Sequence, residues 1–493
     1  MDRLLHIIKK YIPVKLFKAL QPAYHFLLSL IASVWYGWPS NKLIVIGVTG
    51  TTGKTTSVYL IAKMLTSAGY KTGFTSTAIF NDGQTEWLNN KKMTMAGRFF
   101  TQKMLKKMVK NNCKYAIVET TSQGVEQFRH KFINYDILIF TGLYPEHIEA
   151  HGGFENYKQA KGKLFSHLQQ CKTKYANDKK QVVKAENGFK KIQANRVKKT
   201  IIANLDDKYV DFFLSFWAEE KFIYTKKNEN SPTSEVKLTN DKTQVVKYGD
   251  VKSNKTGVSF KVKDNTTINL KQLGEYNAAN AMTAVCLGLS QKINLEKIKI
   301  GLEKIKSIPG RMELITSSKL FSSKAGAGGW TIIVDYAFEP EALKKIYSTI
   351  LKLEHNKIIH VLGSAGGGRD IARRPKIGGL AGKKADIVIV TNEDPYDDDP
   401  NMIIAQVAVG AVNAGKKENE NLFKIEDRRE AIKKALSLAE TGDIVLITGK
   451  GCEQAICIAA GKKIKWDDRD VAREELKKLE LKSEKYMAKI KEN

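Results

Sequence analysis

The stretch Leu43–Thr56, LIVIGVTGTTGKTT, constrains this chain more than any other. An apolar β-type run, Leu43 to Ile46, breaks at Gly47 and enters a small-residue turn that closes on Gly53-Lys54-Thr55. A helix-like pattern follows, with Leu60, Ile61, Met64 and Leu65 on one face. Strand, glycine-rich turn and helix in that order form the context of a phosphate-binding loop. The backbone N–H groups of Gly50, Thr51, Thr52 and Gly53 converge on phosphate oxygens only where small residues let the chain come close. Lys54 then neutralises the β/γ-phosphates, and the Thr55 hydroxyl, followed by Thr56, ligates Mg²⁺. Val48 stands where the strict pattern has its first Gly. The stretch reads as a nucleoside-triphosphate site.

Along the rest of the chain the pattern is that of an α/β protein. Up to about Leu168 strand-like and helix-like stretches alternate, as in an open parallel sheet. Tyr115–Val118 runs into Glu119 and Asp136–Phe140 into Thr141, and ligands bind at such strand ends. Glu119 and the segment Pro145–His151 therefore share a rim with the loop, where a carboxylate serves Mg²⁺ or is a plain surface group. His147 and His151 beside Glu146 and Glu149 read either as a divalent-metal cluster or as helix-start residues that cap and pack. Gln169–Thr200 is rich in Lys and Gln and reads as a surface insertion, while Asp241–Asn269 alternates as antiparallel hairpins do. Helices are expected over Leu273–Leu289, carrying Asn277 and Asn280, and then to about Ser307. Past Pro309-Gly310-Arg311, four strands end at Asp335, at Gly363–Gly368 with Arg369, at Asn392–Pro395 and at Gly449-Lys450-Gly451, which predicts a second α/β unit.

Lys and Arg number 81 against 52 Asp and Glu, a formal charge of +29 that suits anionic partners. No nucleic-acid-reading motif accompanies it, so a nucleic-acid partner is not expected. Five scattered cysteines fit reduced thiols in a cytoplasm better than a disulfide framework. Residues 1–40 mix basic residues with apolar ones and end in an apolar run, Phe26 to Trp38. That run falls short of the ~20 residues a bilayer crossing needs. Two readings fit: a helix lying in the membrane interface, at the inner face of the membrane, or a helical hairpin packed on the core.

Together these segments resemble the Mur ligases, from about Leu43 to Asp467, closest to the UDP-N-acetylmuramyl-tripeptide synthetase branch. VTGTTGKTT is similar to the family's TGTNGKT. Glu119-Thr120-Thr121-Ser122-Gln123-Gly124 resembles EVSSHG, Glu146-His147-Ile148-Glu149-Ala150-His151-Gly152 resembles DHLDYHG, and Asn204-Leu205-Asp206-Asp207 resembles NADD. Asn277 and Asn280 match FNxxN, Gly310-Arg311-Met312-Glu313 matches GRME, and Asp335-Tyr336-Ala337-Phe338 resembles DYAH. The resemblance implies a central P-loop ATPase domain with a mostly parallel sheet over 41–308. It further implies a C-terminal Rossmann-like α/β domain over 309–493, behind a short helical segment, 1–40.

The implied activity is ATP-dependent amide-bond formation in peptidoglycan precursor synthesis, through an acyl phosphate. Thr55 and Glu119 would hold one Mg²⁺, and His147 with a carbamylated Lys161 a second. Asn280, Asn277, Arg311 and Asp335 would position ATP. Ser122 and Arg129 would face a UDP-muramyl peptide, and Arg369, Glu393, Asp394, Gly449 and Glu453 the incoming amino acid. The family's N-terminal uridine-nucleotide-binding domain has no counterpart here, and DNPR is Glu393-Asp394-Pro395-Tyr396, without its Arg. An acidic pocket favours an amine-ended side chain, lysine or diaminopimelate. Two other readings remain open: the same chemistry on a folylpolyglutamate or poly-γ-glutamate acceptor, or a membrane-tethered nucleotide switch.

Overall fold

The computed structural model describes residues 14–146, 148–175, 181–184, 190–193, 196–227, 243–263, 265–315, 329–369 and 371–492. The strand Ile44–Thr49 is buried along its whole length, because helices cover both faces of its sheet. It pairs in parallel with Tyr115–Glu119 on one side and Ile137–Phe140 on the other, with Val48 opposite Glu119 and Thr49 opposite Phe140. Beyond Ile137–Phe140 the sheet continues through Thr200–Asn204, Glu220–Lys226 and Thr243–Asn254, all parallel. It then turns antiparallel through Gly257–Val262 and Thr266–Leu270, the hairpins expected from the alternation there. Thr72–Thr75, Ile79–Asn81 and Glu86–Leu88 complete the other edge of this 11-stranded sheet.

The helices Lys54–Ser67, Tyr276–Ser290 and Leu295–Glu303 share one apolar core with the sheet. Arg98–Lys110 and Phe154–Gln170 build the core on the opposite face. One carboxylate ties the starts of three strands together. Asp136, fully buried, accepts from the Val45 N–H (2.9 Å), Lys174 Nζ (2.6 Å) and Lys199 Nζ (2.8 Å). The expectation of a surface insertion over Gln169–Thr200 is therefore corrected at both lysines, which are buried because Asp136 pairs them. Much of the remaining insertion lies outside the described residues.

A second sheet follows Pro309-Gly310-Arg311 in the strand order Glu313–Ile315, Thr331–Asp335, Ile444–Thr448, Ile358–Leu362, Ile387–Thr391, Leu422–Ile425. Its first pair is antiparallel and the rest are parallel. Four of these strands were expected. The two edge strands are short, at three and four residues, and leave little periodicity to read. A long helix, Asp468–Glu492, closes the chain.

The N-terminal segment contains one helix, Val14–Trp35, and no hairpin among the described residues. Its docked face uses small residues: Ala32 and Ser33 are fully buried, and Ser29 Oγ donates to the Phe128 carbonyl (2.9 Å). Gln102 Nε2 donates to Ser33 Oγ (2.9 Å), and Phe26 meets Phe128 and Phe132 edge-on. Leu20, Tyr24, Leu27, Ile31, Val34 and Trp38, spaced by three and four residues, remain exposed. Among the described residues no helix is long and apolar enough to cross a membrane.

Candidate active site

The two sheets face each other across a cleft of about 1210 Å³. The phosphate-binding loop forms its floor. Gly53 takes φ +79° at the N-terminus of the helix Lys54–Ser67, and a Cβ there would meet Asn280 Oδ1 at 2.4 Å. A Cβ on Gly50 (φ +152°) would meet Thr141 Oγ1 at 2.0 Å. Both positions thus need glycine for backbone shape and for space. The loop is pinned from the next strand end: Thr141 Oγ1 donates to the Thr52 carbonyl (2.7 Å) and the Thr51 N–H to the Gly142 carbonyl (2.8 Å). Asp207 steadies that strand end by accepting from the Leu143 N–H (2.7 Å). Lys54 folds over its own loop, donating to the carbonyls of Gly50 (3.1 Å) and Thr51 (2.6 Å).

Glu119 emerges beside the loop because its strand neighbours Ile44–Thr49. Its carboxylate accepts from Thr55 Oγ1 (3.0 Å), Thr77 N–H (2.8 Å) and Thr77 Oγ1 (2.8 Å). Arg311, from the joint between the sheets, reaches across and donates to Thr55 Oγ1 (3.3 Å), with its guanidinium over the Tyr336 ring (4.7 Å). Asn280 Nδ2 donates to Asn277 Oδ1 (2.9 Å), and Asn277 Nδ2 to the Leu273 carbonyl (2.6 Å). Asp335 accepts from the N–H groups of Met312 and Ala337, both at 2.7 Å, and burial pushes its carboxyl above the usual range. Thr56 is buried in the first helical turn and lines the cleft.

Lys161 lies beneath the loop rather than on the cleft wall. Its side chain is buried, and Nζ donates to the Gly50 carbonyl (2.7 Å), the same oxygen that Lys54 engages. The Tyr157 ring lies 4.6 Å from that nitrogen. Burial first, and then the Lys54 ammonium, push the Lys161 amine far below the ordinary lysine range. His147 lies outside the described residues. His151 Nε2 and Ser122 Oγ are 3.0 Å apart, so of the two candidate histidines His151 is engaged with a serine. Glu146 hydrogen-bonds Glu339 of the second sheet, whose carboxyl burial and Glu146 together raise well above the usual range. Tyr144 OH also donates to Glu339.

The far wall holds the residues expected at the amino-acid end, while Arg129 stays on the first sheet's side. Asp394 accepts from Lys450 Nζ (2.9 Å to each oxygen) and from the Cys457 N–H (2.7 Å). Glu453 accepts from Lys450 Nζ (2.6 Å) and Tyr336 OH (3.1 Å). Lys92, from the first sheet's side, bonds both acids: Asp394 at 2.6 Å and Glu453 at 3.1 Å. Glu393 is buried with Oε2 unpartnered, and a Cβ on Gly449 (φ +108°) would meet that oxygen at 2.6 Å. Arg369 lines the cleft and donates to Tyr396 OH (3.0 Å). Arg129 packs its guanidinium on the Met95 carbonyl and Gln127 Oε1, and burial lowers its pKa to about 10.

The donors suit the groups the sequence implies, within limits. A Thr hydroxyl and one carboxylate are hard oxygen ligands, and Mg²⁺ commonly takes one or two such groups beside phosphates and water. Among the described residues no cluster of three or more His, Cys, Asp or Glu could hold a metal by itself. Lys161 as an amine offers no anionic oxygen, although a buried, neutral amine is the form that captures CO₂. Sequence reasoning missed Lys92, Thr77, Tyr144 and Glu339. Lys92 carries no motif at all, whereas Glu339 directly follows the Asp335–Phe338 motif and was within reach.

A family model for the Mur ligase middle domain matches residues 48–198, and one for the Mur ligase glutamate ligase domain matches residues 310–451. The UDP-N-acetylmuramyl-tripeptide synthetase of Roseiflexus sp. (strain RS-1) is 33% identical over 459 residues, 92% of this chain and 82% of that protein. The UDP-N-acetylmuramoyl-L-alanyl-D-glutamate–2,6-diaminopimelate ligase of Clostridium tetani is 31% identical over 455 residues, 92% of this chain and 81% of its own length. Among solved structures, a Mycobacterium tuberculosis folylpolyglutamate synthase complexed with ADP and AMPPCP superposes with a TM-score of 0.61. It is 15% identical, over 86% of this chain and 92% of that one, which speaks for the fold alone. The chain belongs to the Mur ligase family, the ATP-dependent amide ligases of peptidoglycan synthesis.

Proposed function

We propose that the chain adds a diamino acid, lysine or diaminopimelate, to the peptide carboxylate of a UDP-muramyl peptide, with ATP converted to ADP and phosphate. One observation carries this reading: a phosphate-binding loop and a cluster of acids, Glu393, Asp394 and Glu453, line one and the same cleft. The substrate carboxylate attacks the γ-phosphorus and the bond to ADP breaks, which gives an acyl phosphate. The incoming amine then attacks the acyl carbon, phosphate leaves with the C–O electron pair, and the nitrogen gives up a proton. Two anions have to meet in the first step, so the site's main work is neutralising charge and aligning the partners.

Lys54 leaves the carbonyls of Gly50 and Thr51 to lie along the β/γ-phosphates, and the loop N–H groups, apart from that of Thr51 which Gly142 holds, turn toward the same oxygens. Arg311 and Asn280 hold the nucleotide from two sides, with Asn277 bracing Asn280 and Asp335 bracing the Arg311 turn through Met312. Thr55 and Glu119 would hold one Mg²⁺, and His147 with carbamylated Lys161 a second; the ions supply charge neutralisation on the transferring phosphoryl group. Ser122 and Arg129 face the muramyl peptide, while Glu393, Asp394, Gly449, Glu453 and Arg369 form the amino-acid end.

The decisive experiment follows phosphate release with ATP and a UDP-muramyl dipeptide on addition of lysine, diaminopimelate or glutamate. Release that depends on one of the two diamino acids is expected. Release only with a folate or poly-γ-glutamyl acceptor, or slow hydrolysis indifferent to amino acids, would overturn the assignment. The stripe Leu20–Trp38 adds a second element to the reading, a peripheral contact with the anionic inner face of the cytoplasmic membrane. The helix carries no acidic residue, and none occurs between Arg3 and Asn81. Flotation with phosphatidylglycerol vesicles should carry the full chain upward and leave the Leu27→Glu/Ile31→Glu variant behind; equal flotation would remove this element.

A further inference from the structure

Lys92 sits in the segment between the strand Glu86–Leu88 and the helix Arg98–Lys110. The segment is built rather than loose. Asn89 Nδ2 donates to the carbonyls of Ser76 (2.9 Å) and Met93 (3.0 Å), and the Lys91 N–H returns to Asn89 Oδ1 (2.8 Å). Lys92 itself adopts φ +52°, a left-handed conformation uncommon outside glycine. This turn aims the side chain across the cleft, where only 6% of it is exposed. Its ammonium then makes three contacts with acids of the other sheet: Asp394 Oδ1 (2.7 Å), Asp394 Oδ2 (2.6 Å) and Glu453 Oε2 (3.1 Å).

Those two acids already own a counter-ion. Lys450, fully buried and from the same sheet, contacts both of them. Lys92 is therefore a second ammonium, delivered by the other half of the molecule. Burial works to lower its pKa, yet the carboxylates of Glu453 and Asp394 outweigh that and hold it above the ordinary lysine range. A primary ammonium on a straight alkyl chain is also what lysine, or the far end of a diamino acid, presents. The unpartnered Glu393 Oε2 nearby marks acceptor capacity that the protein's own groups leave unused.

Building on the ligase reading, we infer that Lys92 is an internal stand-in for the side-chain ammonium of the incoming amino acid. A diamino acid displaces Lys92 from Asp394 and Glu453 and so undoes this contact between the two sheets. A neutral side chain of equal length cannot make the exchange. Lys92 thereby sets specificity for a cationic side chain, by competition rather than by contact with the reacting atoms.

The test compares KM and kcat for lysine or diaminopimelate, whichever the wild type uses, and for norleucine, in Lys92→Met, Lys92→Gln and Lys92→Arg. Met and Gln remove the competing charge, so both should lower KM for the diamino acid about tenfold with a smaller change in kcat. Arg retains the charge and should leave KM unchanged or raised. If folded Met and Gln variants keep or raise that KM, Lys92 is only a clamp and the inference is overturned. A wild type that releases no phosphate with any UDP-muramyl peptide and diamino acid would instead refute the ligase reading beneath it.

Discussion

Two lysines, Lys54 and Lys161, donate to one carbonyl oxygen, that of Gly50, and only one of them can be fully charged at little cost. Lys161 is the buried one, and the neighbouring Lys54 ammonium lowers its affinity for a proton further. A neutral amine in that place is a nucleophile for CO₂. The carbamate so formed would exchange a competing cation for an anion beside the phosphate loop. Supplying ¹³C-bicarbonate should therefore give one carbamate carbon resonance, which Lys161→Met abolishes together with on the order of 10²–10³-fold in kcat, the scale of losing one group that stabilises transition-state charge. The sign with pH follows from the lowered pKa: capture needs the free amine, so the resonance weakens as pH falls through that depressed value. A Met variant of wild-type activity would leave Lys161 as a mere prop for the loop.

At the scale of elements, the strand Ile44–Thr49 organises everything near it, and its start depends on a charge cluster. Asp136 satisfies the Val45 N–H and two lysines in a dry interior. Burial brings Lys174 down to about 8 even with this partner, which shows how much the pairing has to offset. Asp136→Asn should destabilise the first sheet by about 3–5 kcal/mol, the range for breaking a buried pair by removing one member. Urea titration would measure it, and a loss below ~1 kcal/mol would mean that water reaches the cluster. This cluster also marks where sequence reading ended. The loop, Glu119 and the parallel strands were legible because apolar runs end in small or polar residues at fixed spacing. Lys174 and Lys199 were not, because buried lysines look like surface lysines until the fold brings Asp136 between them. Lys92 was hidden for the related reason that its partners, Asp394 and Glu453, lie hundreds of residues away in the chain and in the opposite wall.

For the whole molecule, the question is what couples the two sheets. Arg311 to Thr55, Tyr144 to Glu339, Lys345 to Thr52 and Lys92 to Asp394 all cross the cleft. Three of these four end on the phosphate loop or beside it, so nucleotide that fills the loop would bear directly on the crossing contacts. In enzymes with such split sites, closure of the walls often gates turnover. Ligand at a hundred times its Kd stabilises whatever holds it by ~2.7 kcal/mol. For units of this size that corresponds to roughly 5–10 °C in Tm. Calorimetry with a non-hydrolysable ATP analogue should therefore raise the unfolding of both sheets together. Arg311→Ala, which removes the guanidinium that reaches from the joint to Thr55, should keep most of the shift for the first sheet and lose it for the second. Equal shifts of both transitions in that variant would show that the second sheet holds nucleotide through other groups, and that the Arg311 bridge does not couple the two halves.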